Sequence, residues 1–412
     1  MKLTILTVCS LVLLQSFVNP LGFDLPTIKD ILQGSKDVFI GTLTNAGSFL
    51  PSPAELFGGT KNLLAGMPLE YVSTSINSVC STLMSSQSVI PKIMPDKNSI
   101  NFQLMTACNK YTYSVLSPGD LLNNTEFDVT KKTVILVTGW RTTITSSKTI
   151  EELSKAYICR GDVNFLAIDA ASYVDTLFSW SALNTEKIGE YLGESLVKLE
   201  TVVPLESIHL IGHSLGAHIC GSAGRTFNQL TNRFIPRITA LDPAKPCFNE
   251  GESLCGLMRG DADFIDVIHT NTGVLGKRDP TGDVDFYPDG LVPLPTGCLT
   301  VVCAHERAWL YYVESVYPGN EYNFMAKRCT SLSKLKQNKC TGVAVPMGYA
   351  ATSNLKGNYV LEVRGSAPFG MNGSKTREAQ YATCGTCAKS STVGSTQSSS
   401  VFRPIKWFKK LF

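Results

Sequence analysis

Apolar residues run in short continuous blocks through the middle of the chain. Residues 133–137 (TVILV) and 163–168 (VNFLAI) are β-prone throughout, the pattern of strands buried on both faces. Residues 207–211 (SIHLI), 238–241 (ITAL) and 264–268 (FIDVI) predict three more strands. Between 182 and 200, Ile188, Tyr191, Leu192, Leu196 and Leu199 recur at helical spacing. Strands alternating with helices predict an α/β fold, a mostly parallel sheet with helices on both faces. Outside 101–370 the pattern fades. Residues 23–100, rich in Ser, Pro and Gly, predict an irregular extension with one or two short helices. From 371 the chain turns polar, and 388–400 are mostly Ser, Thr and Gly, a composition that cannot bury a core.

The two ends suggest where the chain works. The first 22 residues hold one lysine and an apolar run from Leu3 to Leu14, too short to span a bilayer. They read as a signal peptide and predict a secreted protein. Residues 401–412 (VFRPIKWFKKLF) set Arg403, Lys406, Lys409 and Lys410 among aromatic rings, without an acidic residue. Such a segment suits an anionic lipid surface. The bland alternative is a tail without a role, since Pro404 opposes a helix there. A net charge of +3 over 412 residues argues against nucleic acid as a partner.

Of thirteen cysteines, twelve remain once Cys9 leaves with the signal, an even number that in an oxidising compartment predicts pairing. Close spacing suggests Cys247 with Cys255, Cys298 with Cys303, and Cys329 with Cys340. Cys80, Cys108, Cys159 and Cys220 have no assignable partner. Cys384 and Cys387 form a CxxC in the polar tail, without the strand and helix of a redox motif or a nearby His for zinc. Asn123 and Asn372 begin Asn-x-Thr/Ser acceptor patterns.

The candidate chemistry centres on Gly212-His213-Ser214-Leu215-Gly216. The motif follows the strand SIHLI and opens a small-residue helical segment, 217–224, as a nucleophile elbow requires. The elbow exposes the serine Oγ over a helix N-terminus, where N–H groups can face developing negative charge. Serine needs a base and the base an orienting group. In this architecture they follow in the order acid, then histidine. Asp242, at the end of the next strand, is the candidate acid. Asp261 and Asp263 fall in a polar loop and Asp266 inside a strand, where solvated or structural roles fit better. Among the five histidines, the ordering removes His209, His213 and His218. His269 ends the strand FIDVI and remains open. His305, beside Cys303 at the start of the helical run 306–316, is favoured as a tethered yet accessible base. The backbone N–H groups of Leu215 and of Trp140, in the loop after TVILV, are candidate oxyanion donors. Nothing calls for a metal or cofactor.

Taken together, VTGW, VNFLAIDA, GHSLGAH, ITALDPA, FIDVIHT, DVDFYPDG and CAHERAW resemble the pancreatic lipase family across 133–317, with weaker similarity to PFG at 368–370. The finer flavour is similar to insect neutral lipases and phospholipases A1. The resemblance implies an α/β-hydrolase fold, a Ser214-Asp242-His305 triad, Trp140 and Leu215 as oxyanion donors, and a lipid ester substrate. Thr138 stands where the family usually has His. The 42 residues after Gly370 are too few for the family's colipase-binding β-sandwich, so colipase dependence is not expected. The family's lid corresponds to the loop between Cys298 and Cys303. Its four residues make about one helical turn, and the loop from Asn271 to Val284 is also short. An uncovered site points to a phospholipid or other polar glycerolipid cut at sn-1. The alternative is a lipid-binding or storage protein, as in insect yolk proteins that resemble lipases but lack the nucleophile.

Overall fold

The computed structural model describes residues 94–139, 147–170, 173, 178–248, 254–336 and 340–387. The expected leader, most of the N-terminal extension and the basic-aromatic segment 401–412 lie outside the described residues.

Among the described residues eleven strands form one sheet: β1 (Asn101–Met105), β2 (Lys110–Ser114), β3 (Lys132–Val137), β4 (Val163–Asp169), β5 (Ile208–His213), β6 (Arg237–Leu241), β7 (Phe264–Ile268), β8 (Val284–Pro288), β9 (Met325–Cys329), β10 (Ala344–Pro346) and β11 (Gly357–Leu361). Their order is β10-β9-β11-β8-β7-β6-β5-β3-β4-β1-β2. The central seven, β4-β3-β5-β6-β7-β8-β11, are all parallel, and the outer strands at each end run antiparallel. The mostly parallel α/β sheet read from the sequence is therefore present. No second sheet follows it among the described residues.

Among the described residues six α-helices accompany the sheet: α1 (Lys148–Arg160), α2 (Phe178–Leu199), α3 (Leu215–Thr231), α4 (Val301–Val316), α5 (Leu332–Lys336) and α6 (Lys375–Gln380). Two apolar layers cover the two faces of the sheet. One joins Ile135, Val137, Leu166, Leu210 and Ile238 to Leu192 and Leu196 of α2 and to Ile219 and Phe227 of α3. The other joins Val134, Leu136, Ile211, Leu241 and Ile268 to Ile150 and Leu153 of α1 and to Tyr311 and Tyr312 of α4. Alternate residues of one strand thus feed opposite layers, which is why these strands read as largely apolar runs. Helix α1 has clean local signals: Ser147 caps the Ile150 N–H at 3.2 Å, and Gly161 closes the helix at φ 78°.

The cysteines correct one expectation and fill two gaps. Cys298–Cys303 and Cys329–Cys340 are paired as expected. Cys247 is disulfide-bonded, but Cys255 is a free, exposed thiol, so the expected pair between them does not form. Nearness in sequence was the only argument for it. Cys108 bonds Cys387 and Cys159 bonds Cys384. The CxxC is therefore a double staple that ties the segment after α6 to β1-β2 and α1. Cys220 is a free thiol buried in the core.

Candidate functional site

The parallel strands deliver their C-terminal ends to one edge of the sheet, and the candidate residues gather there. Ser214 directly follows β5 with φ 57° and ψ −121°, a strained conformation for a side chain with a Cβ. Its N–H donates to the Leu241 carbonyl at 3.0 Å, and its own carbonyl accepts from Ala244 at 3.3 Å. These bonds tie the elbow to the end of β6. The glycines of the motif are required by space. A Cβ on Gly216 would lie 2.0 Å from the Val137 carbonyl oxygen, and one on Gly212 would lie 2.4 Å from the Ala217 Cα. Leu215 opens α3, so its N–H has no acceptor within the helix. Thr138 and Gly139 lead from β3 past the serine, whereas Trp140 lies outside the described residues.

Asp242 follows β6 and is fully buried. Its Oδ1 accepts the Thr270 and Asn271 N–H groups at 2.8 and 3.0 Å, while its Oδ2 accepts from His305 Nδ1 at 2.5 Å. The carboxylate is thus held by three donors, and only one of them is a ring nitrogen. Since His305 Nδ1 donates, Nε2 is the nitrogen left to accept a proton. No hydrogen bond joins the Ser214 hydroxyl to His305 in this structure; such contacts often close only around a substrate.

His305 lies within α4, not on a loop before it, because the helix already begins at Val301. Thr300 caps that start through the Cys303 N–H at 3.2 Å. The loop closed by the disulfide thereby runs directly into the helix carrying the histidine. Leu299 at its tip is 77% exposed.

The other sequence candidates resolve by their bonds. His269 Nδ1 donates to the Lys277 carbonyl at 2.9 Å, and Nε2 lies 2.8 Å from Asp285 Oδ1, which also accepts the Thr281 and Gly282 N–H groups. Both ring nitrogens of this buried side chain are taken up by loop and strand partners, so neither faces Ser214. His218 donates to the Ala244 carbonyl and accepts the Leu257 N–H, and His209 pairs with Thr239. Asp261 is buried against Arg225 at 2.7 Å, a structural ion pair rather than a solvated loop residue, while Asp263 is exposed. Asp266 is gripped by both Arg237 and Thr239.

Two contributors were not legible in the motifs. Gly276 packs on the acid so tightly that a Cβ there would lie 2.3 Å from Asp242 Oδ1. His213 stacks on His305, with ring centroids 4.9 Å apart, and its Nε2 donates to the His305 carbonyl at 3.3 Å. Burial, with the neighbouring His305, pushes His213 down to about 3, so it supports the site as a neutral ring. Its place beside the serine was visible, but its partner came from the fold. Among the described residues, no group of three or more His, Cys, Asp or Glu side chains is arranged to hold a metal ion.

A strained serine between a parallel strand and a helix, with an acid on the next strand and a histidine bonded to that acid, defines the α/β-hydrolase class. Residues 71–369 match the Lipase family, and the chain belongs to that family. It is 40% identical over 220 residues to Vitellogenin-1 of Ceratitis capitata, covering 53% of this chain and 50% of that one. It is 33% identical to Lipase member H of Oryctolagus cuniculus, covering 58% and 54%, and 29% identical to Pancreatic triacylglycerol lipase of Cavia porcellus, covering 62% and 60%. The chain spans about half the length of the curated relatives it matches.

Proposed function

We propose that this chain is a secreted serine esterase that cleaves fatty-acyl esters of glycerolipids, with phospholipase A1 or neutral lipase activity. The observation that carries the reading is the Asp242–His305 bond formed at the same sheet edge as the strained Ser214. In this reading His305 Nε2 takes the Ser214 proton as Oγ attacks the ester carbonyl carbon. The oxyanion is met by the Leu215 N–H, with the Trp140 N–H as second donor. His305 then passes the proton to the leaving alcohol, and water, deprotonated by the same ring, releases the fatty acid from the acyl-enzyme. Asp242 fixes the ring orientation and stabilises the imidazolium throughout.

The short loop between Cys298 and Cys303 supports a site open to polar head groups, which favours phospholipid over bulk triacylglycerol. The four described disulfides support an oxidising compartment. A labelled phospholipid should release fatty acid with wild-type protein and with Ser222→Ala, but not with Ser214→Ala. Triacylglycerol and galactolipid in the same panel rank the head groups.

The similarity to a vitellogenin favours a second reading, a lipid-binding protein on the same fold. A fluorophosphonate separates the two. Stoichiometric adduct on Ser214 supports the esterase, and no adduct under native conditions supports the binder.

A further inference from the structure

Asp242 is enclosed by the loop that follows β7, and the anchor of that loop lies outside the triad. His269, fully buried, is its first residue. The backbone N–H groups of the next two residues, Thr270 and Asn271, are the ones that bind Asp242 Oδ1. The loop then doubles back. Gly276 packs on the carboxylate, and the His269 side chain holds the carbonyl of the next residue, Lys277, at 2.9 Å. Tyr287 on β8 lies flat on the His269 ring, 4.5 Å between centroids and 4° between planes. Its hydroxyl donates to the carbonyl of Arg278 at 3.0 Å. Two consecutive carbonyls are thus fixed just beyond Gly276. The Lys277 N–H to Pro243 carbonyl bond at 2.8 Å and the Lys245 N–H to Leu275 carbonyl bond at 2.7 Å stitch the same segment to the residues after Asp242. Asp285, with its Oδ1 also accepting from Thr281 and Gly282, aims the imidazole from behind.

We propose that His269, oriented by Asp285 and braced by Tyr287, is a positioning residue that clamps Lys277 so that Gly276 holds the Asp242 carboxylate on His305. The proposal rests on the triad reading above. His269 touches no reacting atom. It fixes both ends of the loop around the acid, one through its backbone and one through its ring. A carboxylate kept dry and aimed at one nitrogen orients the base more tightly than one that can rotate or gain water.

The test uses the full chain, ¹⁵N-histidine labelling and phospholipid hydrolysis. In the wild type, the His305 Nδ1 proton, donated to Asp242, should give a downfield resonance. In His269→Gln, which loses the donor to Lys277, that resonance should move or be lost to exchange, and kcat should fall about 10²-fold with KM unchanged. His269→Asn places an amide donor where Nδ1 stood and should recover about a tenfold part of that loss. Tyr287→Phe, which keeps the ring stack, should show a smaller change in the same direction. If His269→Gln fails to fold, Tyr287→Phe decides. The proposal is overturned if the His305 resonance and kcat are unchanged in both variants, or if His269→Asn behaves like His269→Gln. If the wild type turns nothing over, the esterase reading fails, while the resonance still decides the clamp.

Discussion

Acidification should weaken this fold through imidazoles, before most carboxylates are neutralised. His213 and His218 are each pushed down to about 3 by burial. In the unfolded chain each would titrate near 6.5. The native state must therefore refuse two protons that the unfolded state accepts. The stability they contribute is complete above the unfolded value and is lost as pH falls from 6.5 towards 3. At pH 5 the unfolded rings lie about 1.5 units below their pKa, which amounts to about 2 kcal/mol each, or about 4 kcal/mol together. His209, also lowered by burial, acts in the same direction. Asp261 opposes them. Burial raises it to about 6 despite Arg225, so the native state takes up its proton first and recovers about 1 kcal/mol between pH 7 and 5. The net loss of about 3 kcal/mol is a large part of the 5–15 kcal/mol that a domain commonly has. Guanidinium unfolding at pH 7 and pH 5, with disulfides intact, measures it directly. His218→Gln, whose amide can still donate to the Ala244 carbonyl, should remove about 2 kcal/mol of that pH dependence. A midpoint unchanged or higher at pH 5, or an unaltered pH dependence in His218→Gln, would refute the argument.

A Cβ at Gly276 would sit 2.3–2.5 Å from the three carboxyl atoms of Asp242, so Gly276→Ala must displace the acid by about 1 Å. A shift of that size should lower kcat about 10²-fold with unchanged far-UV circular dichroism. Gly119→Ala, where nothing lies within 4 Å, should leave the rate alone. The staples Cys108–Cys387 and Cys159–Cys384 close segments of 279 and 225 residues. Replacing either pair with alanine should cost about 2–5 kcal/mol and lower Tm. Ester hydrolysis well below the melting point should persist, since neither pair touches the site.

What could be read in advance follows from which forces leave a local trace. A strand buried on both faces must be apolar at nearly every position, so TVILV and FIDVI announce themselves, and the buried Asp266 of the second is matched by Arg237. The elbow announces itself too, because Gly212 and Gly216 are required by backbone packed within 3 Å. Edge strands carry no such constraint: β2 is KYTYS and mostly exposed or half-buried, and β10 is only AVP, so neither stood out. Disulfides are set by proximity in space. Cys247 lies eight residues from Cys255 yet pairs elsewhere, while Cys108 finds Cys387 across the chain. The histidines show the same division within the site. Sequence order and motif favoured His305 but left His269 open, since His269 ends a candidate strand and His305 precedes a helical run. Hydrogen bonds set them apart: His269 spends both nitrogens on Lys277 and Asp285, whereas His305 spends one on Asp242 and leaves the other unbonded. A candidate base is thus marked by the nitrogen its partners leave unbonded, a property that the folded sheet brings about.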